Sequence, residues 1–576
     1  MNRGEILSIQ IGHYSNFVGA HWWNLQEGSF IYDPSKVTTS DIDHDVLFRE
    51  GMTRNGQVTY TPRLIAFDLK GSLNSLKEEG NLYNTKESDS QNQLPSWSGS
   101  TEQHYTEPAL KNQFLQDLEY EDNEALNSAK DKDTLGQAEN SKGSSSHSNT
   151  SRVNRDRIYN NLDSEISVWS DFLRIHWHPK SLCIVPQFMH NATFAPFDTF
   201  TYGLNVYDKM AEEYEDKLHF FTEECDHLQG FHILTDIYDG FGGLGYKIIE
   251  DLRSEFRSKA IININPFPVV NHAMDASTDL TIINTVLSLC NYHEYCNATL
   301  PLSLNTSAAV GCIEPVKFNS IKYDPFSMYH TSSIIAASLD TATLPYRSLS
   351  SNFTADHLYD ALTEAERKIL SLSTGFPLPI DNGASSGTFF ESLNGDLDSI
   401  LSCISPEHKE RNVSFSRYVT LRGITTSPFE GNRSVPSREM SESLQHNNTP
   451  KTMLQKLLFK SYPNSLSLCS IVNDACNVSA PFPSIFSKNS TKEFYKKASN
   501  EKELQNLDAC NMAAIASLES TCASQHYLKS LLNQAEKVAF RRYHQFKETG
   551  MEEDTYSEAL DNLANLAEAY SVDRSI

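Results

Sequence analysis

Apolar residues alternate along E-I-L-S-I-Q-I, residues 5–11, with Leu7, Ile9 and Ile11 two apart. That is the spacing of a strand with one face on a core. Past Gly12 the period lengthens, and Phe17, Val18, Trp22 and Leu25 fall at helical spacing. Strand, tight turn and helix follow. R-L-I-A-F-D-L (63–69) predicts a second strand. Further on, F-H-I-L-T-D-I (231–237) predicts a strand, Ile248, Ile249, Leu252 and Phe256 form one helical stripe, and K-A-I-I-N-I-N-P (259–266) is a buried strand. The unit is β-α-β. At its first turn, I-Y-D-G-F-G-G-L-G (237–245) sets Gly240, Gly242 and Gly245 in the pattern G-x-G-x-x-G.

A dinucleotide loop needs more than that spacing. It wants an acidic residue about 20 residues on, at the end of the next strand, to hold a ribose hydroxyl. Asn263, Asn265 and Pro266 stand there instead. A phosphate site assembled from several strand-to-helix loops fits better, because helix N-termini and backbone N–H groups attract anions without a fixed consensus. A glycine turn that serves only close strand–helix packing is the competing account.

Between these segments the pattern fails. Residues 84–156, from N-T-K-E-S-D-S-Q-N-Q to S-K-G-S-S-S-H-S-N-T-S, carry too little apolar surface to offset their ordering entropy, and predict a disordered insertion with at most a short helix around residues 114–126. His176 and His178, in R-I-H-W-H-P, lack a third ligand nearby and predict packed or surface side chains, not a metal site. Gly383-Ala-Ser385-Ser-Gly387 matches the nucleophile elbow, but the prolines of G-F-P-L-P-I-D-N before it oppose a central strand. It predicts a surface loop. Residues 427–450 are a second polar loop. At the C-terminal end Gly550 can stop one helix, and Tyr556, Leu560, Leu563, Ala567 and Tyr570 give the next a buried stripe.

The 576 residues suffice for two to four domains with substantial cores. A net charge of -26 opposes a surface for phosphate backbones, so no nucleic acid is expected as a partner. No apolar run of about 18 residues predicts a transmembrane segment, and the first residues lack the pattern of a signal or matrix-targeting peptide. Ten cysteines without C-x-x-C spacing fit reduced thiols in the cytosol, where sequons such as Asn191-Ala-Thr carry no weight.

In order, these pieces resemble the tubulin/FtsZ superfamily, and in particular the Misato family of tubulin-like proteins. I-Q-I-G-H-Y-S-N-F-V-G-A-H-W-W-N-L resembles tubulin's first nucleotide loop and helix, and its H-Y-S-N-F-V-G-x-H-W-W-N is a Misato signature. T-P-R-L-I-A-F-D-L-K-G-S-L resembles the next strand and phosphate-facing loop, and H-L-Q-G-F-H-I-L-T-D-I-Y-D-G-F-G-G-L-G stands where tubulins carry L-Q-G-F-Q and G-G-G-T-G-S-G. I-I-N-T-V-L-S-L is similar to Y-N-A-T-L-S, R-Y-V-T-L-R-G resembles a strand of the intermediate domain, and the segment from A-F-R-R-Y-H-Q-F to A-N-L-A-E-A-Y looks like the last two tubulin helices.

The resemblance implies a tubulin/FtsZ-like α/β fold: an N-terminal nucleotide-binding-type domain with a mostly parallel sheet (1–83 and 157–305, split by the insertion 84–156), an α+β intermediate domain (306–525), and C-terminal helices (526–576) packed across both. It implies GTP or GDP as the candidate cofactor, at Gly12, His13, Tyr14, Asn16, Asp68, Gly240, Gly242, Gly243, Gly245 and Asn284. Departures weaken turnover. His13-Tyr14 replaces Gln-Cys, Lys70 follows Asp68-Leu69 where a carboxylate is usual, and Phe241, Gly242 and Leu244 replace Gly, Thr and Ser. A G-x-x-N-x-D catalytic loop is missing, and nothing assigns Asp324 to hydrolysis. The expectation is a non-motor scaffold, without catalytic residues, in mitochondrial distribution, morphology and inheritance of mitochondrial DNA. It would act in the cytoplasm and peripherally at the mitochondrial outer surface, with tubulin, microtubules or the tubulin-folding chaperonin as candidate partners. The alternatives are a polymerising GTPase and a factor in tubulin folding.

Overall fold

A computed structural model describes residues 4–30, 40–52, 58–77, 109–121, 159–270, 276–309, 311–351, 353–378, 389–390, 393, 397–407, 413–424, 449–486 and 511–571. Its centre is a six-stranded sheet of β1 (Glu5–Ile11), β2 (Leu64–Lys70), β3 (Leu182–Met189), β4 (Leu228–Thr235), β5 (Ala260–Phe267) and β6 (Ala298–Ser303). The spatial order is β3-β2-β1-β4-β5-β6 and every pairing is parallel. This is the order of the doubly wound dinucleotide folds.

Alternation along the strands divides the core in two. Leu7, Ile9, Ile11, Ile65 and Phe67 share a cluster with α2 (Phe200–Glu223), α3 (Gly240–Glu255) and α4 (Ala276–Tyr295). Ile6, Leu64 and Ala66 share the other with α1 (His13–Glu27) and α5 (Met328–Ala342). Both faces are thus covered, so even the polar alternates of β1, Ser8 and Gln10, are buried, where alternation predicted a single buried face.

A second sheet of β7 (Ser371–Gly375), β8 (Ser402–Cys403), β9 (Ser414–Arg422), β10 (Leu466–Val472) and β11 (Ala514–Thr521) has the order β8-β7-β11-β9-β10. It is antiparallel except for β9 with β10. Helix α5 lies between α1 and this sheet. A buried ionic knot ties the layers: Asp340 of α5 accepts from Gln26 of α1, from Arg347 (2.8 Å) and from Arg422 of β9. Burial works against the Asp340 carboxylate, but the charges of Arg422 and Arg347 prevail and hold its pKa below the usual value.

Helices α6 (Ala523–Ala535) and α7 (Glu553–Ala569) pack on α4. Tyr556, Leu563, Ala567 and Tyr570 are buried as the stripe predicts, whereas Leu560 is half-buried and Ala559 faces the core. The Tyr570 hydroxyl accepts from Ile369 N at 2.7 Å and the Arg367 guanidinium donates to Ala569 O at 2.9 Å, joining these helices to the entry of β7. Within residues 84–156, residues 113–121 are helical and Phe114 is buried, while the Asn112 amide donates to Asp171 O at 2.7 Å. The rest of that segment, the nucleophile-elbow match at 383–387 and most of 427–450 lie outside the described residues. Among the described residues no helix is long and apolar enough to cross a membrane, and no disulfide joins the described cysteines.

Candidate functional site

In doubly wound sheets ligands bind beyond the carboxyl ends of the strands, where the strand order reverses. Here that point lies between β1 and β4, and the turns that leave them are the two glycine turns of the sequence. Gly12 takes φ 122°, a conformation that disfavours any side chain, and opens α1 without a capping side chain of its own. The cap comes from 222 residues away. Tyr14 N, Ser15 N and the Ser15 hydroxyl donate to the Asp236 carboxylate at 2.8, 2.9 and 2.7 Å. Asp236 directly follows β4, and its own N–H is held by Ile11 O at 2.9 Å. The free amides of a helix N-terminus are where a phosphate would bind. In this chain an internal carboxylate fills them. Burial lifts Asp236 to about 6 against the opposing pull of those three donors.

The second turn caps itself: Asp239 accepts from Phe241 N at 2.9 Å and opens α3. Its carboxyl is pushed well above the usual range, first by burial and then by the charge of Asp236. The glycines that follow face protein. A Cβ on Gly243 would lie 1.8 Å from Phe200 O of α2, one on Gly240 2.9 Å from the Phe197 ring, one on Gly242 2.3 Å from the Ser288 hydroxyl and one on Gly245 2.5 Å from the Tyr292 hydroxyl. Phe241 and Leu244 are buried. The motif lets α3 close on α2 and α4, the account the sequence left as the competing one.

Asn284 of α4 is fully buried and fully engaged. Its oxygen accepts from Phe200 N at 2.9 Å, and its amide donates to Asp198 O at 2.7 Å and Tyr238 O at 3.1 Å. Tyr14 turns away from the crevice and donates to Thr331 of α5 at 2.9 Å. Asp324 accepts from Phe326 N at 3.0 Å in a turn before α5. His178 stacks on Phe220, and neither it nor His176 joins a group of three candidate ligands among the described residues.

At the β2 side the picture is more open. His13 Nδ1 lies 3.1 Å from Asp68 Oδ2, and Asp68 also accepts from the Trp169 indole (2.7 Å), the Asn16 amide (3.2 Å) and Leu69 N (2.7 Å). Burial raises the Asp68 pKa, but hydrogen bonding and charge from His13 together with the other donors outweigh it, and the net shift is downward. The ring of His190, just past β3, lies 4.0 Å from the His13 ring, tilted by 34° to it. Its imidazole is held down to about 4 by burial and by His13. The structure places Gly12, His13, Asn16 and Asp68 side by side and adds Asp236, Asp239, Trp169 and His190, which the sequence reading did not name. An Asp one residue past a buried strand was a signal for Asp236; His190 had none.

The family comparisons accord with this frame. Residues 4–120 match the Misato Segment II tubulin-like domain and residues 160–348 the Tubulin domain. The chain is 33% identical over 577 residues to Protein misato homolog 1 of Danio rerio, covering 98% of this chain and 96% of that protein. The chain belongs to the Misato family. The human Misato homolog 1 is similarly 33% identical, with 98% of each chain covered, and Protein misato of Drosophila melanogaster is 26% identical with 98% of each covered. The tubulin-like fold of this Misato member is thus established.

The guanine nucleotide that the resemblance implies needs the α1 amides for phosphate, an open glycine loop and a free Asn284. Asp236 occupies the amides, helix backbone and Phe197 cover the glycines, and Asn284 is spent on three backbone groups. In this conformation the residues do not fit the nucleotide in the tubulin manner.

Proposed function

We propose that this Misato-family chain is a non-motor, tubulin-like scaffold or interaction protein, not a nucleotide-turnover enzyme. The carrying observation is Asp236, which supplies from within the protein the anion that a nucleotide would otherwise bring to α1. The process it serves is the distribution and morphology of mitochondria and the partitioning of mitochondrial DNA, with the protein in the cytoplasm and peripherally on the mitochondrial outer surface. Support for that part is the family resemblance alone. Tubulin, microtubules and the tubulin-folding chaperonin are the candidate partners, because the surface is that of a tubulin-like fold.

The biochemical test is mass spectrometry of small molecules released from gently purified protein, beside isothermal titration with GTP and GDP. Neither nucleotide co-purifies or binds at micromolar concentration if the reading is right, and stoichiometric GDP would overturn it. The cellular test is depletion. Collapse of the mitochondrial network or loss of mitochondrial DNA is expected, and normal mitochondria after complete depletion would remove the proposed process.

A further inference from the structure

Beside the first glycine turn, the described residues hold one group of three potential metal ligands: His13 at the start of α1, Asp68 near the end of β2 and His190 just after β3. They come from three separate segments. One ligand atom of each lies within 4.8 Å of the others, and the two imidazole rings are 4.0 Å apart. The chain is built to hold them there. Lys70 O accepts from His190 N at 2.9 Å, and Asn191 turns the backbone away at φ 56°, so His190 is fixed beside the end of β2. The Trp169 indole, the Asn16 amide and Leu69 N orient Asp68, the kind of outer support that ligating carboxylates receive in metal sites.

Asp198, Asp236 and Asp239 lie on the neighbouring loops, so the surroundings of this edge are acidic. Two imidazoles and a carboxylate suit zinc and the other first-row divalent ions, whereas magnesium and calcium prefer oxygen throughout. The His13 side chain is partly exposed, so the cluster is within reach of solvent. We propose that His13, Asp68 and His190 form a zinc-type divalent metal site, which closes the β2 and β3 side of the crevice by pinning both strand ends to the first turn of α1.

The test uses Co²⁺ as the probe on the full chain, read by visible absorption and titration, with circular dichroism confirming the fold of each variant. The wild-type protein should take one equivalent with d–d bands and no thiolate charge-transfer band, and Zn²⁺ should displace it. His190→Ala and His13→Gln should each weaken Co²⁺ binding by roughly tenfold or more. His190→Cys should restore binding and add a thiolate band. Absence of stoichiometric binding by the wild type, binding unchanged in His190→Ala, or a thiolate band in the wild type would each overturn the site.

Discussion

Two strand-to-helix turns stand side by side at the carboxyl edge of the parallel sheet, and they solve the same problem in opposite ways. The turn after β4 has its cap in its own sequence, since Asp239 immediately precedes the helix it caps. The turn after β1 has none, and α1 depends on Asp236 from the neighbouring strand. The first arrangement is local and replaceable. The second ties two distant segments together and uses up the anion site in doing so. Glycine also differs in meaning: at Gly12 it permits a positive φ, while at Gly243 it permits backbone-to-backbone contact between helices.

Gly243→Ala should be the most damaging change, because its methyl would meet Phe200 O, which no rotamer can move aside. A loss of more than about 3 kcal/mol is expected in urea unfolding. Asp236→Ala should follow at roughly 2–3 kcal/mol, since two α1 amides lose their acceptor. The same variant should gain saturable sulfate or pyrophosphate binding by calorimetry. A folded Asp236→Ala protein that still ignores these anions would break the comparison, for the amides would then not be an anion site at all.

The elements beneath the turns carry a pH test. His21 of α1 and His232 of β4 are buried and held down to about 3, chiefly by desolvation. A histidine whose folded pKa is depressed binds its proton more readily in the unfolded chain, so stability falls as pH drops through the window from about 6.5 to 3. Each should cost roughly 2 kcal/mol between pH 7 and pH 5. His232→Phe should flatten the stability profile over that range; an unchanged slope would show that the imidazole is not kept neutral. Asp239→Ala should be the mildest change. Its lost cap is worth about 1 kcal/mol, partly offset by relief of repulsion with Asp236, and thermal denaturation would show the balance.

The first sheet was legible where its segments carry a pattern: alternation in β1, short apolar runs in β2, β4 and β5, and the one-sided stripe of Ile248, Ile249 and Leu252 in α3. β1, β2, β4 and β5 appear where the pattern placed them. The second sheet was legible only at β9, where family resemblance picked out R-Y-V-T-L-R-G. Short strands such as Ser402–Cys403 are too brief to show any period. Within residues 84–156 the short helix allowed around 114–126 appears at 113–121, but its docking through buried Phe114 and through Asn112 on Asp171 O was not legible. Averaged over a polar segment, one docking residue makes no signal.

Gly240, Gly242, Gly243 and Gly245 illustrate the limit most clearly. Their spacing was visible, yet it fits a phosphate loop and a helix–helix contact equally, because both need a surface without Cβ atoms. By itself the sequence determined the family and the strand–turn–helix units around β1, β2, β4 and β5, since local periodicity and covalent order carry that information. Only the tertiary structure decided what the turns do. Which carboxylate reaches the α1 amides, and which imidazole lands beside His13, depends on segments more than 170 residues apart in sequence meeting in space. Hydrogen bonds and close packing act over a few ångströms, and no pattern along the chain measures that distance.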